Sequence, residues 1–148
     1  MDRCDFSSIM TYLKNQISES NQMSQPEFLY EIFEDFLDSP ENKEFTLDNG
    51  LVCRWMTGQA KISPKISSFY ARPSNQEKLA KTIHQNIVPL MADCDKALQD
   101  IYTLFIHDSS ISEAKKAELT SLYKPANLRL LFLAKLISFG MERPFIKT

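Results

Sequence analysis

Apolar residues recur at spacings of three and four positions through most of this 148-residue sequence. Near the amino terminus they are Phe6, Ile9, Met10, Leu13 and Ile17. This spacing places apolar side chains on one face of an α-helix, whereas a half-buried strand shows strict alternation. No stretch sustains such alternation, and three glycines are too few for a fold built from many tight turns. The pattern predicts an all-α fold.

Helix-capping signals divide the chain into seven or eight predicted helices, joined in a single domain over the whole length. The first covers residues 7–18. The second begins at a capping box of Ser24 and Glu27 and continues until Ser39-Pro40 ends it. A third covers residues 48–57, and Gly58 is suited to the left-handed conformation that ends a helix.

Prolines and polar caps mark the next boundaries. Ser63 followed by a proline predicts the start of a fourth helix, which the Arg72-Pro73 step closes. The four residues that begin at Ser74 have the pattern of another capping box, and Pro89 is expected to end or kink the helix that follows.

The last third of the chain contains three more predicted helices. Apolar residues from Leu90 to Phe105 define the longest one, and Ser112 and Asn127 are predicted N-caps of the other two. Residues 128–139 are apolar on most faces, so this final helix is expected to be the central packed element.

Three cysteines, Cys4, Cys53 and Cys94, are odd in number, far apart and without C-x-x-C spacing. They are expected to be small buried hydrophobic residues in a reducing compartment. The amino terminus lacks the apolar core of a signal peptide, and the longest unbroken apolar run is far too short to span a bilayer. These features predict a cytoplasmic protein without a membrane partner.

Charge is distributed unevenly although the net charge is only -2. Residues 27–48 contain eight acids and one base, whereas residues 51–85 contain six bases and one acid. Because the acidic block and the basic block adjoin in sequence, we expect them to pair across the folded surface. If they point apart instead, the domain presents one acidic and one basic face to charged partners.

No motif in the sequence indicates catalysis. His84 and His107 lie on different predicted helices without a second ligand at metal-binding spacing. The GxSxG, HExxH, GxGxxG and GxxxxGK[ST] patterns are all absent, and most serines lie where helix caps are needed. The sequence therefore predicts a protein that is not an enzyme and holds no metal or cofactor.

Residues 48–70, DNGLVCRWMTGQAKISPKISSFY, hold the only tryptophan and a run of cations with no acid between them. The segment around Arg54-Trp55 and the following glycine resembles the end of a Cro/C1-type helix-turn-helix. That resemblance implies that Arg54, Gln59, Lys61 and Lys65 meet phosphates or base edges. Upstream, an acidic loop at residues 38–44 replaces the helix and glycine-bearing turn of that family.

A second resemblance covers nearly the whole chain. The resemblance is to the N-terminal helical module of bacterial STAND-class (NB-ARC or NACHT-like) P-loop NTPases, and it rests on FLYEIFEDFLDSPENKEF, the segment at 48–70, the region from Leu79 to Met91, DSSISEAKKAELT and FGMERPF. The resemblance implies an interaction or signalling role in defence or regulation. The chain contains no phosphate loop, so ATP binding does not carry over to it.

Two main functions therefore remain open. The favoured one is a non-catalytic protein-interaction module, which binds a protein partner or a second copy of itself. Phe69, Tyr70 and the cations around them are the expected contacts, because interface cores favour aromatic residues and arginine. The alternative is a helix-turn-helix that binds nucleic acid, and a small stand-alone inhibitor shares the physics of the first function.

Overall fold

The computed structural model describes residues 3–143, which form nine α-helices and no β-strand. An isolated backbone bridge joins Ile17 to Met91. The all-α prediction is confirmed. The helices are α1 (Phe6–Asn15), α2 (Gln25–Ile32), α3 (Glu34–Leu37), α4 (Asn49–Thr57), α5 (Pro64–Tyr70), α6 (Pro73–Asn86), α7 (Cys94–His107), α8 (Glu113–Tyr123) and α9 (Arg129–Glu142).

Side-chain caps start several of these helices where the sequence predicts them. Ser24 and Glu27 form the reciprocal capping box at α2, and Ser63 and Ser112 accept backbone N–H groups at the starts of α5 and α8. Gly58 ends α4 with a φ of 77°, in the left-handed region that only glycine adopts readily. These local signals are confirmed.

The structure has one helix more than the eight predicted, because the second predicted helix is divided into α2 and α3. The chain breaks at Phe33, whose φ of -94° and ψ of 19° lie outside the helical range. Phe33 is completely buried, and its ring stacks with those of Phe6 and Tyr70. Beyond the break, the N–H of Phe36 donates to the Tyr70 hydroxyl at 3.3 Å. The buried aromatic cluster therefore satisfies an amide that the interruption leaves without a helical acceptor.

Four predicted boundaries are wrong. Helix α1 ends at Asn15 rather than at residue 18. Helix α6 starts at Pro73 rather than after Ser74, because Pro73 provides the first helical residue. Asn127 lies inside a 3₁₀ turn, Ala126–Leu128, that precedes α9 and has no side-chain cap. Leu90 ends another 3₁₀ turn, so α7 begins only where Asp93 caps it. Helices α6, α7 and α9 share the greatest length, 14 residues each.

Helix α9 is the central packed element, as predicted. It contacts α1, α5, α6 and α8, and eight of its residues are buried. Its close approach to α1 depends on Gly140, since a Cβ atom there would lie only 2.9 Å from the backbone nitrogen of Phe6. Within residues 3–143, no helix combines the length and apolar character needed to cross a membrane.

Candidate functional site

The six residues predicted as contacts lie on α4, α5 and the connection between them. Arg54 is in the last turn of α4, Gln59 and Lys61 are in the connection, and Lys65 is in the first turn of α5. All four are exposed. Arg54, Lys61 and Lys65 with the intervening connection are called the α4–α5 basic surface below.

Backbone contacts hold this surface in place. The N–H groups of Gln59 and Ala60 both donate to the carbonyl of Arg54, at 2.8 and 3.1 Å. The hydroxyls of Ser7 and Thr11 on α1 donate to the carbonyl of Met56, at 2.7 and 3.0 Å. These hydrogen bonds join the end of α4 to the following connection and to α1. The backbone that carries the exposed cations is therefore held in place.

The aromatic part of the prediction is corrected by the structure. Tyr70 is completely buried, and its ring packs against Phe33 and Phe69. Burial raises the pKa of its hydroxyl well above the ordinary value of 10, although the hydrogen bond from the Phe36 amide opposes the shift. Tyr70 is therefore a core residue that offers no surface to a partner, and Phe69 beside it is half-buried.

Among the described residues, no ion pair joins the acidic block to the basic block, contrary to expectation. Within residues 3–143, the ion pairs closer than 4.0 Å are Lys96–Asp100, Lys115–Glu118, Lys116–Glu113 and Arg143–Asp108. None joins the two blocks. Where the blocks meet, neutral groups on α6 bind the acids: Thr82 donates to Asp35 at 2.7 Å and Asn86 donates to Glu34 at 2.8 Å.

As a result, the charges of both blocks remain available at the surface. All six bases of residues 51–85 are exposed, and so are seven of the eight acids of residues 27–48. Asp35 is the half-buried exception. An acidic and a basic surface of this kind favour a charged partner, because unpaired surface charges create a long-range electrostatic field.

A cleft of about 270 Å³ adjoins the α4–α5 basic surface. It lies between the start of α1, the connection after α4 and the end of α9. Its charged lining residues are Arg3, Asp5, Lys61 and Arg143, and Ser7, Trp55 and Gly58 line it as well. The sequence singled out residues 48–70 but gave no signal for the walls contributed by α1 and α9, which are distant along the chain.

Trp55 forms part of the wall of this cleft. The side chain is only 1% exposed, and its indole nitrogen Nε1 has no hydrogen-bond partner among residues 3–143. A buried tryptophan usually finds an acceptor for this N–H, so the orphaned donor requires an explanation.

Behind the cleft lies a buried polar network. Arg143 donates to the Asp108 carboxylate and to the carbonyl of Cys4, both at 2.9 Å, and also to the hydroxyl of Ser110. Burial raises the pKa of Asp108, but hydrogen bonds from Ser110, the Cys4 amide and Arg143 outweigh it and hold that pKa below the ordinary 3.8. The network fixes one wall of the cleft.

The cysteines differ in environment. Cys4 is buried and burial raises the pKa of its thiol to about 12, while Cys94 is half-buried and burial also raises its thiol pKa. Cys53 is exposed on α4, so of the three cysteines predicted to be buried only Cys4 is fully so. Residues 3–143 contain no group of three or more His, Cys, Asp or Glu side chains arranged to hold a metal ion.

No protein-family model, curated protein or solved structure matches this chain. The exposed charges and the cleft are therefore the observations from which its function can be inferred.

Proposed function

We propose that this chain is a non-catalytic protein-interaction module that binds an acidic protein surface through the α4–α5 basic surface. The observation that carries this proposal is that Arg54, Lys61 and Lys65 are exposed and make no ion pair within residues 3–143. Because the backbone beneath the cations is already ordered, binding costs only the ordering of their side chains, and complementary charge increases association rate and selectivity.

A second copy of the chain is one source of an acidic surface. Residues 27–48 carry a net charge of -7 and residues 51–85 a net charge of +5. Self-association through these blocks would weaken as salt screens the exposed charges. A signalling role within a STAND-type protein, as the sequence resemblance implies, uses the same surface, and so does a stand-alone inhibitor.

Nucleic-acid binding is the alternative, favoured by the clustering of Arg54, Gln59, Lys61 and Lys65 on one helix–connection–helix unit. The structure upstream of α4 opposes this alternative, because the chain has a 3₁₀ turn at Pro40–Asn42 and no helix from 43 to 48, where a helix-turn-helix needs its first helix. The exposed acids Glu41, Glu44 and Asp48 lie in this same stretch and would repel phosphates and an acidic protein alike, so they do not distinguish the two partners.

The test compares two triple variants. One neutralises the α4–α5 basic surface as Arg54→Gln, Lys61→Gln and Lys65→Gln. The matched control neutralises exposed cations elsewhere as Lys43→Gln, Lys96→Gln and Lys124→Gln. Light scattering after size exclusion at about 50 and 200 mM salt measures self-association, and affinity capture with quantitative mass spectrometry measures binding of other proteins.

We expect the first variant to lose self-association or a captured partner that the control variant retains. Equal behaviour of the two variants would remove the assignment of the surface. Anisotropy of labelled duplex DNA and single-stranded RNA forms the second arm. Saturable binding that weakens steeply between the two salt concentrations, and is lost in the first variant, would establish the nucleic-acid alternative.

A further inference from the structure

We propose that the partner of the α4–α5 basic surface is a second copy of this chain, which contributes a surface on α2 and α3. This inference rests on the function proposed above, since it names the partner of the same cations. The second surface consists of four exposed acids and one exposed aromatic residue, namely Glu27, Tyr30, Glu31, Glu34 and Asp38. It is called the α2–α3 acidic surface below.

The acids of this surface have no cation to balance them. Among residues 3–143 none of them makes an ion pair, and from residue 15 to residue 42 the sequence contains seven acids and no base. Glu27 and Glu31 lie four positions apart on α2, where like charges are neighbours and lower the stability of a helix. A basic surface that covers these acids relieves this repulsion.

The cations of the same molecule do not fill this role. Helix α4 packs on α2, yet within residues 3–143 no base of the α4–α5 basic surface pairs with an acid. Helix α6 packs on α2 and α3 and carries exposed Lys78 and Lys81, but its contact with the acids is neutral: Asn86 donates to Glu34 at 2.8 Å. Each copy therefore carries the two halves of one interface, and both halves are open.

An exposed aromatic residue lies among the acids. Among residues 3–143, Tyr30 is the one exposed large hydrophobic side chain, at 48%. It is three positions from Glu27 on α2, so the two share a face. On the basic surface, half-buried Phe69 is four positions from Lys65 on α5 and shares a face with it. Because interface cores favour aromatic residues and rims are polar, Tyr30 and Phe69 are the expected centre of the contact.

The charges around the basic surface limit the attraction. From residue 49 to residue 76 the chain contains four bases and no acid. However, the exposed acids Glu41, Glu44 and Asp48 precede this stretch, and Asp5 lines the adjoining cleft. These carboxylates oppose an acidic partner, so charge alone gives a weak attraction that salt screens, and the aromatic contact must provide the rest. We therefore expect weak, salt-sensitive self-association.

The test inactivates the two halves of the interface separately. An acidic-surface variant combines Glu27→Gln, Glu31→Gln and Asp38→Asn. It leaves Glu34 unchanged because that side chain binds Asn86, and glutamine serves in a capping box as glutamate does. The basic-surface variant is the triple neutralisation of the α4–α5 basic surface described above.

A matched control neutralises three exposed acids outside the surface, as Glu19→Gln, Asp95→Asn and Glu142→Gln. Sedimentation velocity over a range of protein concentrations, at about 50 and 200 mM salt, measures association of each protein and of mixtures. Circular dichroism verifies that every variant keeps the helical fold.

We expect the wild-type protein and the control to associate at about 50 mM salt and to dissociate at about 200 mM, whereas each surface variant alone stays monomeric. An equimolar mixture of the two surface variants should form a heterodimer, because one keeps its basic surface and the other keeps its acidic surface. Mixing would not restore a contact between like surfaces. Tyr30→Ala should weaken association about tenfold, as expected for an aromatic residue at an interface centre, and Tyr30→Phe should retain it.

The inference is overturned if the wild-type protein stays monomeric at millimolar concentration in about 50 mM salt, if the acidic-surface variant associates like the wild type, or if the mixture forms no heterodimer. Failure of the proposed function gives a different result, in which the basic-surface variant keeps self-association and every captured partner. A monomeric wild-type protein whose captured partner is lost only in the basic-surface variant would overturn this inference and leave the proposed function standing.

Discussion

The Arg143 guanidinium donates through Nη1 to the Asp108 carboxylate at 2.9 Å, and these side chains are only 5% and 3% exposed. The same guanidinium nitrogen binds the carbonyl of Cys4, whose own amide donates to Asp108. The pair thus joins the end of α9, the connection between α7 and α8, and the segment before α1. Removing one partner of such a buried ion pair is strongly destabilising, because the other charge then stays buried without compensation.

Arg143→Ala should lower the free energy of unfolding by about 3–5 kcal/mol, because it leaves the Asp108 carboxylate buried without its cation. Urea denaturation at neutral pH measures the loss. Lys96→Ala is the control, since it removes the solvent-exposed pair with Asp100 and should cost far less than the loss of the buried pair. Similar losses in the two variants would contradict the structural role of the buried pair.

Acid should destabilise the protein partly through Asp108. Its folded pKa lies below the unfolded value, so its contribution is present in full above that value and is lost as pH falls through 3.8 towards the folded pKa. Asp108→Asn should be less stable at neutral pH but lose less stability on acidification. Urea denaturation from about pH 7 to pH 3 checks the slope.

Asp100 provides the comparison for this pH dependence. The Tyr12 hydroxyl donates to it at 2.5 Å, and this hydrogen bond together with one from Lys96 lowers its pKa. The site is at the surface, where solvent screens the interaction. Asp100→Asn should therefore change the acid slope less than Asp108→Asn does, and the opposite order would contradict the prediction.

Gly140→Ala should destabilise the protein by about 1–3 kcal/mol, the range for an overpacked site. The added Cβ would lie 2.9 Å from the Phe6 nitrogen and 3.2 Å from the Asp5 carbonyl carbon, both backbone atoms that cannot rotate away. Gly50→Ala is the control, because the atoms nearest to its added Cβ belong to the side chains of Asp48 and Arg54 rather than to the backbone. That control should be near neutral in thermal denaturation, since alanine also favours the helix.

Tyr70→Phe should lower the free energy of unfolding by about 1–3 kcal/mol, because it leaves the buried N–H of Phe36 without an acceptor. The ring remains, so its stacking with Phe33 is retained. Tyr30→Phe serves as the control because Tyr30 is 48% exposed. Equal unfolding midpoints for the two variants would show that the hydroxyl of Tyr70 does not serve this amide.

Local features of the fold were predictable because the deciding residues are neighbours in sequence. The capping box at Ser24 and the left-handed Gly58 each depend on a few adjacent residues. The predicted caps at Ser74 and Asn127 failed because stronger neighbours compete, namely Pro73 as the first residue of α6 and a 3₁₀ turn before α9. Such competition is decided by packing that periodicity does not reveal.

The candidate site was predictable only in part, for a related reason. The exposure of Arg54 and Lys61 was predictable because both are charged residues within the single segment 48–70. Tyr70 could not be assigned to the core from sequence, because α5 has only seven residues and its buried face depends on Phe33 and Phe36, which are distant along the chain. The cleft likewise exists only after α1, α4 and α9 come together.

The three thiols should react in a fixed order with a thiol reagent such as 5,5′-dithiobis(2-nitrobenzoic acid). Cys53 is exposed and should react first, whereas half-buried Cys94, with its raised pKa, should follow. Cys4 should react only on unfolding. Burial raises its pKa to about 12 from an ordinary 9.0, which lowers the reactive thiolate fraction, and burial also blocks access. Cys53→Ser should abolish the fast phase. A fast phase that persists in this variant, or labelling of Cys4 in the folded protein detected by peptide mass spectrometry, would contradict the burial that anchors Cys4 to Asp108 and Arg143.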